Sequence, residues 1–364
     1  MNGISLCAKW MKSENASSAE TKKLAKKTRE ALGVTSKQYR QMLSKLRKRI
    51  NILERLMSAN EWDKIEFSKI PSRAGMIYRN AFARRDIIAK KYESFAKDKN
   101  TKVNAKTLYP YEVVAKAVAE DRHSWYSYAF KCLNDTERAM INKYWDNLPD
   151  YLEGKKCSMM CVVDTSGSMT GMDAAAPINV AISLGLYCAE RIGGPFKNHY
   201  ISFSSKPQLI KTEGVDFVDK VRRIYKTNLC ENTNLEAVFD LLLKVASRPG
   251  VKKEDIPETI VVISDMEIDR GTRQGWYGSG WTKDAASTEM EKIRQKWARH
   301  GLKLPKLVYW NVESRNSNTF LDSGPNVTFV SGMSPVIFKS VLTGKSGWEL
   351  CLDILLSQRY ENIK

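Results

Sequence analysis

The sequence predicts two domains, an all-α basic module followed by an α/β domain built on a doubly wound, mostly parallel sheet. Three observations carry that prediction. The 364 residues exceed what one ordinary hydrophobic core organises. Residues 1–150 show helical apolar periodicity, whereas from Cys157 onward short continuous apolar runs alternate with helical segments. Charge divides in the same place: residues 1–156 carry 33 Lys/Arg against 18 Asp/Glu, and residues 157–364 carry 26 against 23.

The first helices lie between Ala19 and Ala59, broken at Gly33-Val34-Thr35-Ser36 with Ser36 as the expected N-cap. Tyr39, Met42, Leu43, Leu46, Ile50, Leu53 and Leu56 recur at three- and four-residue steps. Between them lie Lys37, Arg40, Lys45, Arg47, Lys48 and Arg49, so one face packs and the rest is cationic. From Lys22 to Arg49 there are 11 Lys/Arg and a single acid, Glu30. After Pro71, "SRAGMIYRNAFARRDIIAKKYESFAKD" reads as a further helical stretch, followed by a polar break from Lys99 to Lys106. Pro110 to Tyr144 also reads as helical, with Trp125, Tyr126, Tyr128, Phe130 and Trp145 as large apolar side chains. "NLPDYLEGKKC" is the expected linker.

Beyond the linker, "SMMCVVD", "NHYISFSS", "TIVVISD", "KLVYWNV" and "NVTFVSG" read as strands without polar alternation, which indicates a sheet covered on both faces. "APINVAISLGLYCAERIGG", "TNLEAVFDLLLKVASR" and "DAASTEMEKIRQKWARHG" are the helices between them. A helix after Pro335 follows, and a last one from Trp348 lies within 346–364, expected to pack on one of the two domains. Ligands of such sheets bind beyond the carboxyl ends of the strands.

That edge is where the oxygen-bearing residues gather. Asp164 ends the first strand, Ser166 and Ser168 follow at every second position, Thr233 opens a later helix, and Asp265 ends "TIVVISD". Five oxygen donors from three loops, two of them carboxylates, suit Mg²⁺ (or Mn²⁺). Cap and turn chemistry alone would leave two carboxylates facing each other. The loop Glu267 to Trp281 follows directly and offers Trp276, Tyr277 and Trp281, either as a partner-binding surface or as an insertion.

D-x-S-x-S, a later Thr at a helix head and an Asp ending a further strand together resemble the metal-ion-dependent adhesion site of a von Willebrand factor A domain. The resemblance covers about 157–345 and implies a Rossmann-like sheet with an intact site at Asp164, Ser166, Ser168, Thr233 and Asp265. It also implies a partner carboxylate in the remaining metal position. "AKW", "YRQMLSKLR", "MSANEWDKI", "IPSRA", "AFARRD" and "LYPYEVV", with "LVYWNV" and "FVSGMSP", look like a family that joins a helical module to such an A domain. That family is distantly similar to the Ro autoantigen (TROVE) proteins, whose helical repeats form a ring that binds small noncoding RNAs and single-stranded RNA ends. The resemblance implies that residues 1–150 are a partial Ro-like repeat module.

The function expected from these readings is a non-catalytic RNA-binding protein whose Mg²⁺-bearing A domain recruits a partner or completes the RNA site. The alternative is a metal-dependent protein-interaction module that binds an acidic partner through a carboxylate. Candidate phosphate contacts are Lys26, Lys27, Arg40, Lys45, Arg47, Lys48, Arg49, Arg84 and Arg85, which would give affinity without sequence readout. Tyr39 and Tyr78 are either stacking platforms for unpaired bases or core residues. An enzyme is not expected: G-x-S-x-G and G-x-x-x-x-G-K-[ST] are absent, no motif pairs His123, His199 or His300 with a nucleophile, and one metal without a general base is an incomplete catalyst. Seven scattered cysteines without a C-x-x-C pair point to a reducing, cytoplasmic setting. No apolar run approaches the roughly 18 residues of a membrane span, and the N-terminus lacks the pattern of a secretion signal.

Overall fold

The computed structural model describes residues 7–50, 52–118, 130–152, 158–171, 173–227, 234–266, 283–313, 326–343, 347–358 and 361. The chain forms two compact units, Met1–Asn104 and Ala105–Lys364. Among the described residues, no helix is long and apolar enough to cross a membrane.

The first unit is helical: α1 (Cys7–Trp10), α2 (Ala19–Ala31), α3 (Ser36–Arg49), α4 (Leu53–Ser58), α5 (Ser72–Arg84) and α6 (Asp86–Lys97). Ser18 caps α2 by accepting from the Thr21 amide, and Gly33, at φ 63°, provides the left-handed turn after it. The cap of α3 is Thr35, one residue before the expected Ser36, because Thr35 and Gln38 form a reciprocal capping box. Ala25, Tyr39 and Leu43 make a small core with Met11, Val34 and Met42 against it. A second apolar patch sets Trp62, Phe67, Phe82 and Tyr92 in edge or tilted contacts, with ring centroids 5.0 to 6.5 Å apart. The helical stretch expected after Pro71 is two helices, broken where Arg85 turns to an extended backbone.

The second unit contains α7 (Pro110–Ala117), α8 (Asp135–Asp146), β1 (Met159–Asp164), α9 (Pro177–Arg191), β2 (His199–Phe203), β3 (Leu209–Lys211), α10 (Phe217–Thr227), α11 (Leu235–Ala246), β4 (Thr259–Ser264), α12 (Lys283–Arg299), β5 (Lys306–Asn311), β6 (Val327–Ser331), α13 (Val336–Thr343) and α14 (Gly347–Leu355). The strands form one sheet in the order β3-β2-β1-β4-β5-β6. All neighbours are parallel except β2 and β3. The two-domain class, helical and then doubly wound α/β, is therefore the observed one.

Burial explains why the strands lack polar alternation. Every residue of β1 is buried. On one face, Val238, Phe239 and Leu242 of α11 and Ile293 and Trp297 of α12 join the side chains of Met160, Val162, Ile260 and Val262 in one core. Each fully buried aliphatic side chain there contributes about 1.5–3 kcal/mol. On the other face α9 is buried from Pro177 to Ala189. It approaches so closely that a Cβ on Gly185 would stand 2.3 Å from Val163 Cγ2. The glycine permits that approach.

Two elements of this unit went unread in the sequence. The strand β3 is three residues long and pairs antiparallel at the sheet edge. The helix α10 carries its signal openly, with Phe217, Val218, Val221, Ile224 and Tyr225 buried at helical spacing.

The boundary between the units falls at 104/105, ahead of the expected 150, because α7 and α8 pack against α9 and α10. Arg138 of α8 holds Asp216 through two hydrogen bonds of 2.6 and 2.7 Å. Trp145 stacks on Phe217 with centroids 4.1 Å apart and donates to Glu190 at 2.7 Å. The last helix exists as α14, with Trp348, Ile354 and Leu355 exposed.

Candidate metal centre and basic surface

The sheet order reverses direction at β1: the chain leaves it toward β2 on one side, and β4 lies on the other. Such a switch point opens a crevice at the carboxyl ends of the two strands. Asp164 ends β1 there, Ser264 ends β4 beside it, and Asp265 follows directly.

Asp164 is fully buried and Asp265 nearly so. The Ser166 amide donates to Asp164 Oδ1 at 2.9 Å, and the Ser264 hydroxyl donates to Asp164 Oδ2 at 2.5 Å. The Ser166 and Ser168 hydroxyls lie 3.2 Å apart. Met169 anchors this loop to β4, because its buried sulfur accepts the Asp265 amide at 3.2 Å. Met266 follows with a left-handed backbone at φ 63°, and its amide donates to the Ser264 hydroxyl. A side-chain-bearing residue held in that region stores strain of order 1–3 kcal/mol, as often found at functional loops.

Burial and, to a smaller extent, the negative charge of Asp265 outweigh the hydrogen bonds from Ser264 and Ser166 and leave the Asp164 carboxyl raised to about 6. A buried carboxylate beside a second one is costly unless a proton or a cation compensates. Two carboxylates and two adjacent hydroxyls are hard oxygen donors, so this donor set fits a divalent cation such as Mg²⁺ or Mn²⁺. Among the described residues no group of three or more His, Cys, Asp or Glu gathers as a metal site, at this edge or elsewhere, so the donor set here is two carboxylates and hydroxyls. Four of the five expected ligands, Asp164, Ser166, Ser168 and Asp265, thus lie at one sheet edge. Thr233 lies outside the described residues, as do Trp276, Tyr277 and Trp281. Sequence reasoning missed Ser264 and Met169; the place of Ser264 directly before Asp265 was the available signal.

The basic residues of the first unit divide into two kinds. Lys26, Lys27, Arg40, Lys45, Lys48, Arg49, Arg84 and Arg85 are exposed. Arg47 is not a free surface cation: it donates to Ala8 O at 3.1 Å, Ser13 Oγ at 2.9 Å and Met11 O at 2.7 Å. These bonds fasten the N-terminal segment to α3. Arg85 lies 4.9 Å over the Trp62 ring, a cation–π contact that leaves the residue at the surface. Tyr39 is fully buried, and its hydroxyl donates to Lys12 O at 2.8 Å, so it is a core residue and not a stacking platform. Tyr78 is half-buried.

The model of a family described as Domain of unknown function (DUF7788) matches residues 158–350, and that of a second, Domain of unknown function (DUF2828), matches residues 4–156. An uncharacterized protein of Acanthamoeba polyphaga mimivirus is 30% identical over 361 residues, covering 94% of this chain and 58% of the relative. The chain therefore spans little more than half of the curated relative it matches. Among solved structures, the Ro (RSR) protein of Deinococcus radiodurans aligns over 94% of this chain and 73% of its own, with 14% identity and a TM-score of 0.47. The manganese-loaded TRAP protein of Plasmodium vivax aligns over 50% of this chain and 72% of its own, with 12% identity and a TM-score of 0.29. The VWA domain of SpRpn10 aligns over 52% and 96%, with 10% identity and a TM-score of 0.28. None of these TM-scores is high enough to bear on function.

Proposed function

This chain belongs to the DUF7788 family, a domain of unknown function, and from that premise we propose that it is a non-catalytic RNA-binding protein with a divalent cation in its α/β unit. The observation that carries the reading is where the charge sits. Met1–Asn104 holds 25 Lys/Arg against 10 Asp/Glu, and Ala105–Lys364 holds 34 against 31. Nearly all of the formal +18 therefore belongs to one compact helical unit. A unit so charged binds a polyanion by releasing its counterions, without reading its sequence.

In this reading Lys26, Lys27, Arg40, Lys45, Lys48, Arg49, Arg84 and Arg85 hold phosphates. Asp164, Asp265, Ser166 and Ser168 hold Mg²⁺ or Mn²⁺, and Thr233 completes the set. The cation supplies a positive centre for an oxygen of a partner or of the RNA. Ser264 keeps Asp164 ionised and in place, and Met169 holds the two loops together.

The test is binding of a fluorescent single-stranded RNA to nuclease-treated protein across a salt series, with Mg²⁺ and with EDTA. Tight binding that weakens steeply with salt is expected. No binding at low salt would sink the proposal.

A second reading, capture of an acidic protein through a carboxylate at the metal, is favoured by one feature. Gly167, between the two hydroxyl residues, is exposed, so the loop reaches the surface where a partner can approach. Asp164→Ala would then abolish capture while the fold persists, and EDTA-insensitive capture would argue against it.

A further inference from the structure

We infer that α14 of one chain docks on the basic helical unit of a second copy, in a reciprocal two-fold dimer. The dimer is independent of the RNA-binding reading. Along α14, Cys351, Leu352 and Leu355 follow Trp348 at three-, four- and seven-residue spacing, so the four share one stripe, and Leu356 continues it. Trp348 is 66% exposed and Leu356 81%. Single apolar residues at a surface are ordinary, but a whole helix stripe led by a tryptophan marks an interaction site.

The flank of the stripe decides what covers it. Glu349 and Asp353, both exposed, lie one turn apart beside it, and residues 347–356 contain no Lys or Arg. RNA phosphates and anionic lipid headgroups would meet like charge there. A second α14 laid across a two-fold axis would set both pairs of acids against each other, as like charges flanking a helix seam do. The chemistry that fits is a surface apolar and cationic at once.

Met1–Asn104 has that chemistry. It holds 25 Lys/Arg against 10 Asp/Glu, and Trp10, Leu24, Leu32, Leu46, Ile77 and Ile87 are exposed on it. The stripe on α5 matches α14 best. Ile77 is 69% exposed, and the exposed Arg73 and Arg84 lie one turn before it and two turns after it on the same side of the helix. Ile77 would seat against Trp348 and Leu352, and a guanidinium pairs well with the carboxylates of Glu349 and Asp353. Both stripes stay exposed in the single chain, so the partner is a second copy. With nine residues, α14 is about 14 Å long and by itself falls short of the roughly 800 Å² per partner of a stable interface. Reciprocal exchange, each copy giving its α14 and receiving the other's on α5, doubles the contact and closes the assembly at two chains.

The test is sedimentation velocity of the full chain, nuclease-treated so that no RNA bridges two copies, across a concentration series. A monomer–dimer equilibrium is expected. Trp348→Glu and Ile77→Glu should each weaken it about 30-fold, the scale of losing one buried anchor, with the thermal midpoint unchanged because both side chains are exposed in the single chain. Glu349→Arg with Asp353→Arg should also give a monomer, and adding Arg73→Glu with Arg84→Glu should restore the dimer, which damage to either helix would not do. A monomer at every concentration overturns the interface, as does a dimer that survives either Glu substitution, or a charge exchange that restores nothing. Each of these results leaves the RNA-binding reading standing.

Discussion

The Ser264 hydroxyl, on the last residue of β4, donates a 2.5 Å hydrogen bond to Asp164 Oδ2, on the last residue of β1. Because the two strands are parallel neighbours, their ends meet at the point where the sheet order reverses. The bond favours the ionised form of a carboxyl that burial pushes the other way.

On the proposed cation reading, removing that donor should weaken cation binding. Ser264→Ala is expected to lower Mn²⁺ affinity by about 10–100-fold near neutral pH, the range for a group that orients a metal ligand. Paramagnetic titration of free Mn²⁺ reads the effect directly. Unchanged affinity would mean that Asp164 is not a ligand.

Arg47 should matter for stability and not for RNA. Arg47→Ala strips the donors from two backbone carbonyls and a hydroxyl, and is expected to cost about 2–3 kcal/mol in urea unfolding. Lys48→Ala, on an exposed position one residue on, should cost less than about 0.5 kcal/mol. Equal losses would show that the hydrogen bonds to the N-terminal segment contribute nothing.

The exposed cations give the complementary result. Reversing Lys45, Lys48 and Arg49 to Glu should leave the fold intact and reduce the slope of log affinity against log salt by about 2, since each phosphate no longer neutralised accounts for about 0.7. Fluorescence anisotropy at several salt concentrations measures it. A slope identical to that of the unmodified chain would remove this face from the RNA surface.

Asp216 links acid stability to the packing of α8 on α10. Burial raises its carboxyl, but hydrogen bonds from the Arg138 guanidinium, the Asp219 amide and the Asn142 side chain outweigh that and hold it below the ordinary range. A carboxyl depressed on folding stabilises fully above its unfolded value, near 4, and loses that contribution as pH falls through the folded value. Urea midpoints measured from pH 7 to pH 3 should drop on the acid side, and Asp216→Asn should flatten that drop. The same acid loss in the variant would assign it to other carboxylates.

Patterns that depend on neighbours along the chain were legible in advance. The apolar runs of β1, β4 and β5 are uninterrupted because both faces of the sheet are covered, so the doubly wound class and the carboxylates at the strand ends could be read directly. The concentration of cations in the helical part needed only counting. What the tertiary structure decided depends on partners distant in sequence. Periodicity places Tyr39 and Arg47 on α3, but only packing shows that the first is sealed in the core and the second is spent on carbonyls of the N-terminal segment. Likewise α7 and α8 look like their helical predecessors, yet Arg138 and Trp145 of α8 meet Asp216 and Phe217, and α7 packs on α9, which places both helices in the α/β unit. Ser264 is one more polar residue until β1 and β4 lie side by side. Local sequence encodes which residues must be buried, and the long-range fold decides which buried group meets which.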